Sequence, residues 1–74
     1  IYPNPTTGSV LINVNHQLTN ATISIKNSLG EELFREEQKV FNQQIVDLSA
    51  FSSGIYFIEI KTENEFITQK VIKE

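Results

Sequence analysis

Apolar and polar side chains alternate with a period of two along most of this 74-residue chain. This period places successive side chains on opposite faces of a β-strand, and no segment shows the 3.6-residue period of an amphipathic helix. Six short strands separated by turn residues predict an all-β, antiparallel sandwich. The six segments are residues 9–15, 21–27, 31–38, 43–48, 54–62 and 65–73.

Two turns are predicted to join neighbouring strands into hairpins. The sequence Asn-Ser-Leu-Gly at 27–30 has Asn27 first and Gly30 fourth, which favours a type I turn followed by a left-handed residue. The sequence Thr-Glu-Asn-Glu at 62–65 places Asn64 where a positive φ is expected. The segment 31–38 carries four glutamates, which is typical of an edge strand protected by charge.

A chain of this length is expected to form one small domain spanning residues 1–74. Domains of this size bury only about 60% of the surface that the extended chain exposes, so the core needs most of the apolar residues. The alternation predicts which of them are largely buried. They are Ile12, Val14, Ile23, Ile25, Leu33, Val46, Leu48, Tyr56, Ile58 and Ile60.

Composition excludes several classes of function. The formal net charge is −3 and the six Lys and Arg residues are scattered, which argues against nucleic-acid binding. The chain has no cysteine, so it has no disulfide, zinc-thiolate site or cysteine nucleophile. No apolar run approaches the ~20 residues that a membrane-spanning helix needs.

No catalytic constellation is found. The single histidine, His16, lies in a polar stretch and is interpreted as a solvated loop residue rather than a general base. Residues 63–65 (Glu-Asn-Glu) are interpreted as a polar turn, with a surface calcium site as the less favoured alternative. Asn20 begins an Asn-Ala-Thr glycosylation tripeptide, a pattern that is common by chance. We therefore predict a non-catalytic domain with no cofactor, no metal and no small-molecule substrate.

The stretch 46–60 is specified beyond what an ordinary turn requires. Asp47 is suited to bond its own downstream backbone, and Ser49 to cap the turn. Gly54 allows a reversal without a Cβ clash, and Tyr56 is expected to enter the core with its hydroxyl reaching a loop. On physical grounds alone, this segment is a well-built corner of a small sandwich.

The start of the chain is equally specific. Tyr2 and Asn4 each precede a proline, and Pro3 and Pro5 have fixed φ and no N–H group. Residues 1–5 are therefore predicted to form a short extended arm. The Thr-Thr-Gly sequence at 6–8 then turns this arm into the first strand.

A set of motif residues occurs in order along essentially the whole chain, namely Tyr2, Pro3, Asn4, Pro5, Gly8, Gly30, Asp47, Leu48, Ser49, Gly54, Tyr56, Lys70 and Lys73. With these residues the chain resembles the type A C-terminal sorting domain of the type IX (Por) secretion system, found in Bacteroidota. The resemblance implies an Ig-like antiparallel β-sandwich of about six to seven short strands. It also implies that these residues carry a secretion signal.

The same resemblance implies a biological setting. The domain would be the last one of a longer secreted protein, fused to the C-terminus of its cargo. It would direct that cargo from the periplasm across the outer membrane, to the cell surface or the outside. The implied partners are the outer-membrane translocon and a sortase-type peptidase that commonly cleaves the domain off. The domain is a substrate in that reaction and not a catalyst.

Two alternative functions share the predicted fold. A stand-alone adhesive or carbohydrate-binding module would present exposed aromatic residues over a groove. The chain has no Trp, and only Phe34, Phe41 and Phe66 are candidates for that role. A purely structural β-domain at the end of an enzyme is the other alternative. A secretion assay distinguishes it from a sorting signal.

Overall fold

Four antiparallel strands form one sheet in the order β2-β1-β3-β4. A computed structural model describes residues 5–74, and the predictions made for Tyr2, Pro3 and Asn4 lie outside these described residues. The strands are β1 (Ser9–Asn27), β2 (Glu32–Asp47), β3 (Gly54–Lys61) and β4 (Phe66–Lys73). Within residues 5–74 there is no helix that is long and apolar enough to cross a membrane.

The number of strands differs from the six predicted. The segments 9–15 and 21–27 belong to one strand, β1, and the segments 31–38 and 43–48 belong to β2. The polar residues 15–17 suggested a loop, but the backbone remains in strand conformation and continues along β2 after a register shift between Asn13 and Leu18. The all-β, antiparallel prediction is confirmed, but residues 5–74 form four strands in one sheet and not six to seven short strands.

The long ribbon of β1 and β2 is bent. Nineteen residues of straight strand would span about 63 Å at ~3.3 Å per residue, whereas the longest dimension of the molecule is 31 Å. The bend coincides with the register shift before Leu18 and with Asn20, whose φ is +53°. Asn tolerates this left-handed conformation better than most residues. The first half of β1 thereby packs its apolar side chains against the rest of the sheet.

The hairpin between β1 and β2 has the predicted turn. Gly30 has φ +86°, and its N–H donates to the carbonyl of Asn27 at 3.0 Å. The side-chain oxygen of Asn27 accepts from the N–H groups of Leu29 and Glu31, each at 3.0 Å. Asn27 and Gly30 therefore have the roles that the sequence suggested. The segment 31–38 is also confirmed as an edge strand, because β2 lies first in the sheet order.

The hairpin between β3 and β4 is confirmed, but the expected positive φ at Asn64 is wrong. Among residues 5–74, Asn20 is the non-glycine residue with a positive φ. The turn is closed instead by the Thr62 hydroxyl, which accepts from the N–H groups of Asn64 at 3.3 Å and Glu65 at 2.9 Å. These hydrogen bonds satisfy the turn without a left-handed residue.

The predicted core is largely correct, with Leu33 as the clear error. Leu33 is 42% exposed, because the register shift between Ile25 and Lys26 places Phe34 opposite Ile25 instead. Val14 is only partly buried and packs at the margin of the core. Leu18 and Phe41 are buried opposite each other at the bend, where a loop was expected. The buried hydrophobic residues are Val10, Ile12, Leu18, Ala21, Ile23, Ile25, Phe41, Val46, Leu48, Tyr56, Ile58, Ile60 and Val71.

Candidate recognition surface

Thr6 attaches the N-terminal segment to the last strand. Its N–H donates to the carbonyl of Ile72 at 2.9 Å, and its carbonyl accepts from the N–H of Glu74 at 2.8 Å. These two bonds form a parallel β-bridge between Thr6 and Lys73 of β4. Residues close to the two termini of the described chain are thus joined by backbone hydrogen bonds.

The side chain of Thr6 also organises the turn that follows. It is 3% exposed, and its hydroxyl donates to the Ser9 carbonyl at 2.9 Å while accepting from the Gly8 N–H at 3.1 Å. The Gly8 carbonyl in turn accepts from the Leu48 N–H at 2.9 Å. We call residues 6–9 the strap, because they connect the free edge of β4 to the β1–β2 ribbon.

The corner after β2 is built as expected. The Asp47 carboxylate accepts from the Ser49 N–H at 2.9 Å, and the Phe51 N–H donates to the Leu48 carbonyl at 2.9 Å. Hydrogen bonds from the Ser49 side chain and backbone hold the pKa of Asp47 below its usual range. This contribution to stability is therefore present above the ordinary carboxyl pKa, and it is lost as the pH falls through the lowered value.

Gly54 and Tyr56 fix the start of β3. Gly54 has φ +154°, a conformation that residues with a Cβ rarely adopt. The buried Tyr56 ring stacks on Phe51 with centroids 5.4 Å apart, and its hydroxyl donates to the Ser52 carbonyl at 2.5 Å. The predicted contact of this hydroxyl with a loop is confirmed. The Tyr56 hydroxyl thereby joins the start of β3 to the corner that precedes it.

These features meet at one end of the molecule. Asn27 is opposite Tyr56, Gly54 is opposite Lys73, and Ser9 is opposite Asp47. A shallow pocket is lined both by residues 27–29 of the hairpin and by residues 51–56 of the corner. We call this region the motif end and define it as residues 5–9, 27–31, 47–56 and 72–74.

The sequence model of the family described as "Secretion system C-terminal sorting domain" matches residues 1–74, the whole chain. The chain belongs to this family. No curated protein matches it. The family is the C-terminal sorting signal of type IX secretion cargo, and this sorting domain directs export across the outer membrane, to the cell surface or beyond.

Most motif residues of the sorting domain within residues 5–74 lie at the motif end. Lys70 differs, because it lies inside β4 opposite Phe57. The residues at the motif end are Pro5, Gly8, Gly30, Asp47, Leu48, Ser49, Gly54, Tyr56 and Lys73. Several of them shape the backbone rather than present a side chain, since Leu48 and Tyr56 are buried and two are glycines at positive φ. The motif thus specifies the shape of this end.

Thr6 is the residue of this surface that sequence reasoning missed. The stretch 6–8 was predicted only to turn the chain, and nothing local in the sequence indicates a bridge from Thr6 to the last strand. The exposed apolar side chains of the motif end also went unpredicted. Leu29 is 84% exposed, Ile55 42% and Ile72 39%.

The end of the sorting domain opposite the motif end comprises residues 15–20, 38–42 and 62–65. It contains the single histidine of the chain. His16 lies within β1 and not in a loop, which corrects the sequence interpretation. Its Nε2 lies 2.9 Å from a Glu65 carboxylate oxygen, and its Nδ1 lies 2.9 Å from the Asn15 side-chain oxygen. Glu65, which belongs to the alternative calcium site at residues 63–65, therefore contacts the imidazole of His16. Residues 5–74 contain no group of three or more His, Cys, Asp or Glu side chains placed to hold a metal ion.

Proposed function

We propose that the motif end is the surface of this sorting domain that the type IX outer-membrane translocon recognises. The supporting observation is the convergence of motif residues from both ends and the middle of the sequence on one region. A secretion apparatus that handles unrelated cargoes needs one shape that they all share. A corner fixed by backbone hydrogen bonds and positive-φ glycines provides such a shape.

The strap supports the proposed arrangement of cargo and signal. Thr6 enters the fold beside Ile72 and Glu74, so a cargo fused N-terminally joins the domain at the motif end. We propose that residues 1–74 are the single, last domain of this cargo and that a sortase-type peptidase removes it after export. The domain is then the substrate of cleavage, in keeping with a family of non-catalytic signals.

We also propose that the bent sheet is a compact variant of the Ig-like sandwich. The fold-over of the β1–β2 ribbon supports this, because both halves of β1 contribute to one core through Ile12 and Ile23. The bond from the Tyr56 hydroxyl to the Ser52 carbonyl is a second supporting feature, because it resembles the tyrosine corner of Ig-like sandwiches, in which a tyrosine hydroxyl bonds backbone a few residues upstream.

A reporter fusion tests the proposed function. An inert periplasmic reporter is joined to the N-terminus of residues 1–74 and expressed in a host with a type IX system. The reporter is expected in the medium or on the cell surface, whereas the same reporter without the domain stays in the periplasm. Equal export in a host lacking the translocon would contradict the proposal.

The two lysines of β4 give a second test. Lys70 is exposed and Lys73 half-buried, and both display charge near the end of this strand. Replacing both with Gln is expected to leave the thermal midpoint nearly unchanged and to weaken secretion of the reporter. Full secretion by this variant would show that the signal resides at the corner around Asp47, Ser49 and Gly54.

The adhesive or carbohydrate-binding alternative has less support. Phe41 is buried and Phe34 is half-buried, which leaves Phe66, 60% exposed, as the accessible member of the three candidate aromatics. A single exposed ring on a sheet does not make the aromatic-lined groove that such modules use.

A further inference from the structure

The outer face of the sheet, the one turned away from the core, has its own chemical character. Alternate side chains of each strand point inward, as Ile23 and Ile25 of β1 and Ile58 of β3 do, so their neighbours form the outer face. Within the four-stranded part, the larger side chains of this face are Lys26, Glu32, Leu33, Arg35, Glu37, Ile55, Phe57, Glu59, Lys61, Phe66, Lys70 and Ile72.

Charge is distributed unevenly between this face and the rest of the domain. The outer face holds four of the six Lys and Arg residues and three of the nine Asp and Glu residues. The remainder therefore holds two cationic and six acidic side chains. A domain of net charge −3 thus presents one face that is slightly positive.

Ion pairs within the face neutralise part of this charge. Lys26 lies 3.1 Å from Glu59, and Arg35 lies 3.5 Å from Glu32. Lys61 has no ion pair with another residue of the 5–74 range. It lies opposite Thr22 on one side and Phe66 on the other, and it lines the same shallow pocket as Lys26 and Arg35.

Apolar side chains are exposed at the two ends of this face. Ile55 and Ile72 lie directly opposite each other on β3 and β4, and they are 42% and 39% exposed. Leu33 and Phe66 are exposed by 42% and 60%. Ile55 and Ile72 therefore form a small apolar patch at the motif end of this face, and Phe66 lies beside Lys61 at the other end. Exposed apolar residues next to charged ones are common at protein interaction sites.

We propose that this outer face docks on an acidic protein surface of the export machinery, one with an apolar patch at one end. The inference rests on the proposed function, extends the recognised surface from Ile55 and Ile72 of the motif end along the outer face to Lys61, and adds the chemistry of the partner. Carboxylates of the partner would pair with Lys61 at one end of the face, while Ile55 and Ile72 pack against the apolar patch at the other end.

A protein partner suits this face better than an anionic membrane. Attraction to anionic lipid amounts to ~1 kcal/mol per cationic side chain near the surface, and Lys26 and Arg35 are already paired with glutamates. Glu37 and Glu59 on the same face also oppose adsorption to a uniformly negative surface. On a protein partner, carboxylates can be placed opposite Lys61 and away from Glu37 and Glu59. Lipid head groups form a continuous anionic surface that also faces these two glutamates.

Two variants with matched controls test the proposal in the reporter assay. Lys61→Glu reverses a charge of the face, and its control Lys39→Glu makes the same change on β2 beyond the four-stranded part. Ile55→Thr removes an exposed apolar side chain from the face, and its control Ile45→Thr does so opposite Leu11, on the folded-over half of the ribbon. Thermal melting first confirms that all four variants fold.

Export is expected to fall roughly five- to tenfold for Lys61→Glu and Ile55→Thr and to stay near the wild-type level for both controls. If the wild-type fusion is not exported, the proposed function itself fails. If the wild type is exported and Lys61→Glu is exported equally well, the docking face is wrong while the sorting function stands. An equal loss with Lys39→Glu would attribute the effect to net charge and overturn the proposal.

Vesicle binding separates the two kinds of partner surface. The domain is mixed with phosphatidylcholine vesicles that contain phosphatidylglycerol, and the bound fraction is measured by sedimentation. No binding above that to pure phosphatidylcholine is expected. Binding that Lys61→Glu abolishes would identify the face as a lipid-binding surface and overturn the protein partner.

Discussion

The two ends of this small sheet are held together by different means. At the motif end, backbone groups of the strap pair with β4 and with the corner, through Thr6 to Ile72 and Leu48 to Gly8. The opposite end comprises residues 15–20, 38–42 and 62–65. There, the turn at 62–65 is closed by one backbone bond, from the Thr62 N–H to the Glu65 carbonyl, and by the Thr62 hydroxyl, while the contact between separate segments is made by the side chains of His16 and Glu65.

This difference explains where the motif residues lie. Few residue types other than glycine fit a backbone at φ +154°, as at Gly54. Few can replace Tyr56, because its buried hydroxyl bonds a loop carbonyl. Positions in an exposed ion pair or a polar turn accept many residue types, because exposed pairs contribute only ~0–1 kcal/mol to stability. The motif residues within residues 5–74 are therefore concentrated at the end where the backbone geometry is demanding.

The largest effect is expected at Gly54. Gly54→Val is predicted to cost roughly 1–3 kcal/mol, because the β-branched residue must hold a strained φ. The cost comes from the backbone conformation and not from a clash at Cβ, since no heavy atom beyond the neighbouring residues lies within 4 Å of the position that a Cβ would occupy. Gly8→Ala is the control, because Gly8 has equally open space and no positive φ. Thermal melting measures both. An unchanged midpoint for Gly54→Val would mean that this turn tolerates a side chain.

A smaller effect is expected for the strap. Thr6→Val keeps the shape of the side chain and deletes its hydroxyl, so the Gly8 N–H and the Ser9 carbonyl lose their partner. We expect a cost of about 1–2 kcal/mol by denaturant unfolding. Thr7→Val is the matched control, because Thr7 is exposed. Equal stabilities of the two variants would contradict the role of the strap.

The smallest effect is expected at the opposite end. Glu65→Gln weakens the contact between Glu65 and His16. The side chain of His16 is 55% exposed and that of Glu65 is 39% exposed. The free energy of unfolding is predicted to change by less than ~0.5 kcal/mol near neutral pH. A loss as large as that of Thr6→Val would remove the contrast between the two ends.

Local chemistry was predictable from the sequence, and long-range pairing was not. The turn at Asn27 and Gly30 follows from residue types within four positions, as does the bond from Asp47 to Ser49. The bridge from Thr6 to β4 joins residues 67 positions apart and depends on how the whole sheet closes. The predicted burial of Leu33 was wrong for a related reason, because one register shift places this side chain on the outer face.

The course of β1 through its bend also depends on long-range pairing and was not predictable from the local sequence. Polar residues at 15–17 are equally compatible with a loop and with an exposed stretch of strand. Only the burial of Leu18 against Phe41 decides in favour of the strand, and that contact needs the partner β2. The candidate surface could thus be assembled as a set of residues from sequence, whereas its position at one end required the fold.

The central claim is that the motif residues act by shaping the motif end and not merely by stabilising the domain. The most direct measurement compares reporter export for Tyr56→Phe and Phe41→Leu. The first deletes the hydroxyl that bonds Ser52 at the motif end, at a cost of about 1 kcal/mol. The second shrinks a buried side chain at the opposite end, at a cost of about 1–2 kcal/mol. With thermal midpoints measured alongside, export should fall for Tyr56→Phe and persist for Phe41→Leu. Equal export of the two variants, or a loss that simply follows the thermal midpoint, would contradict the account.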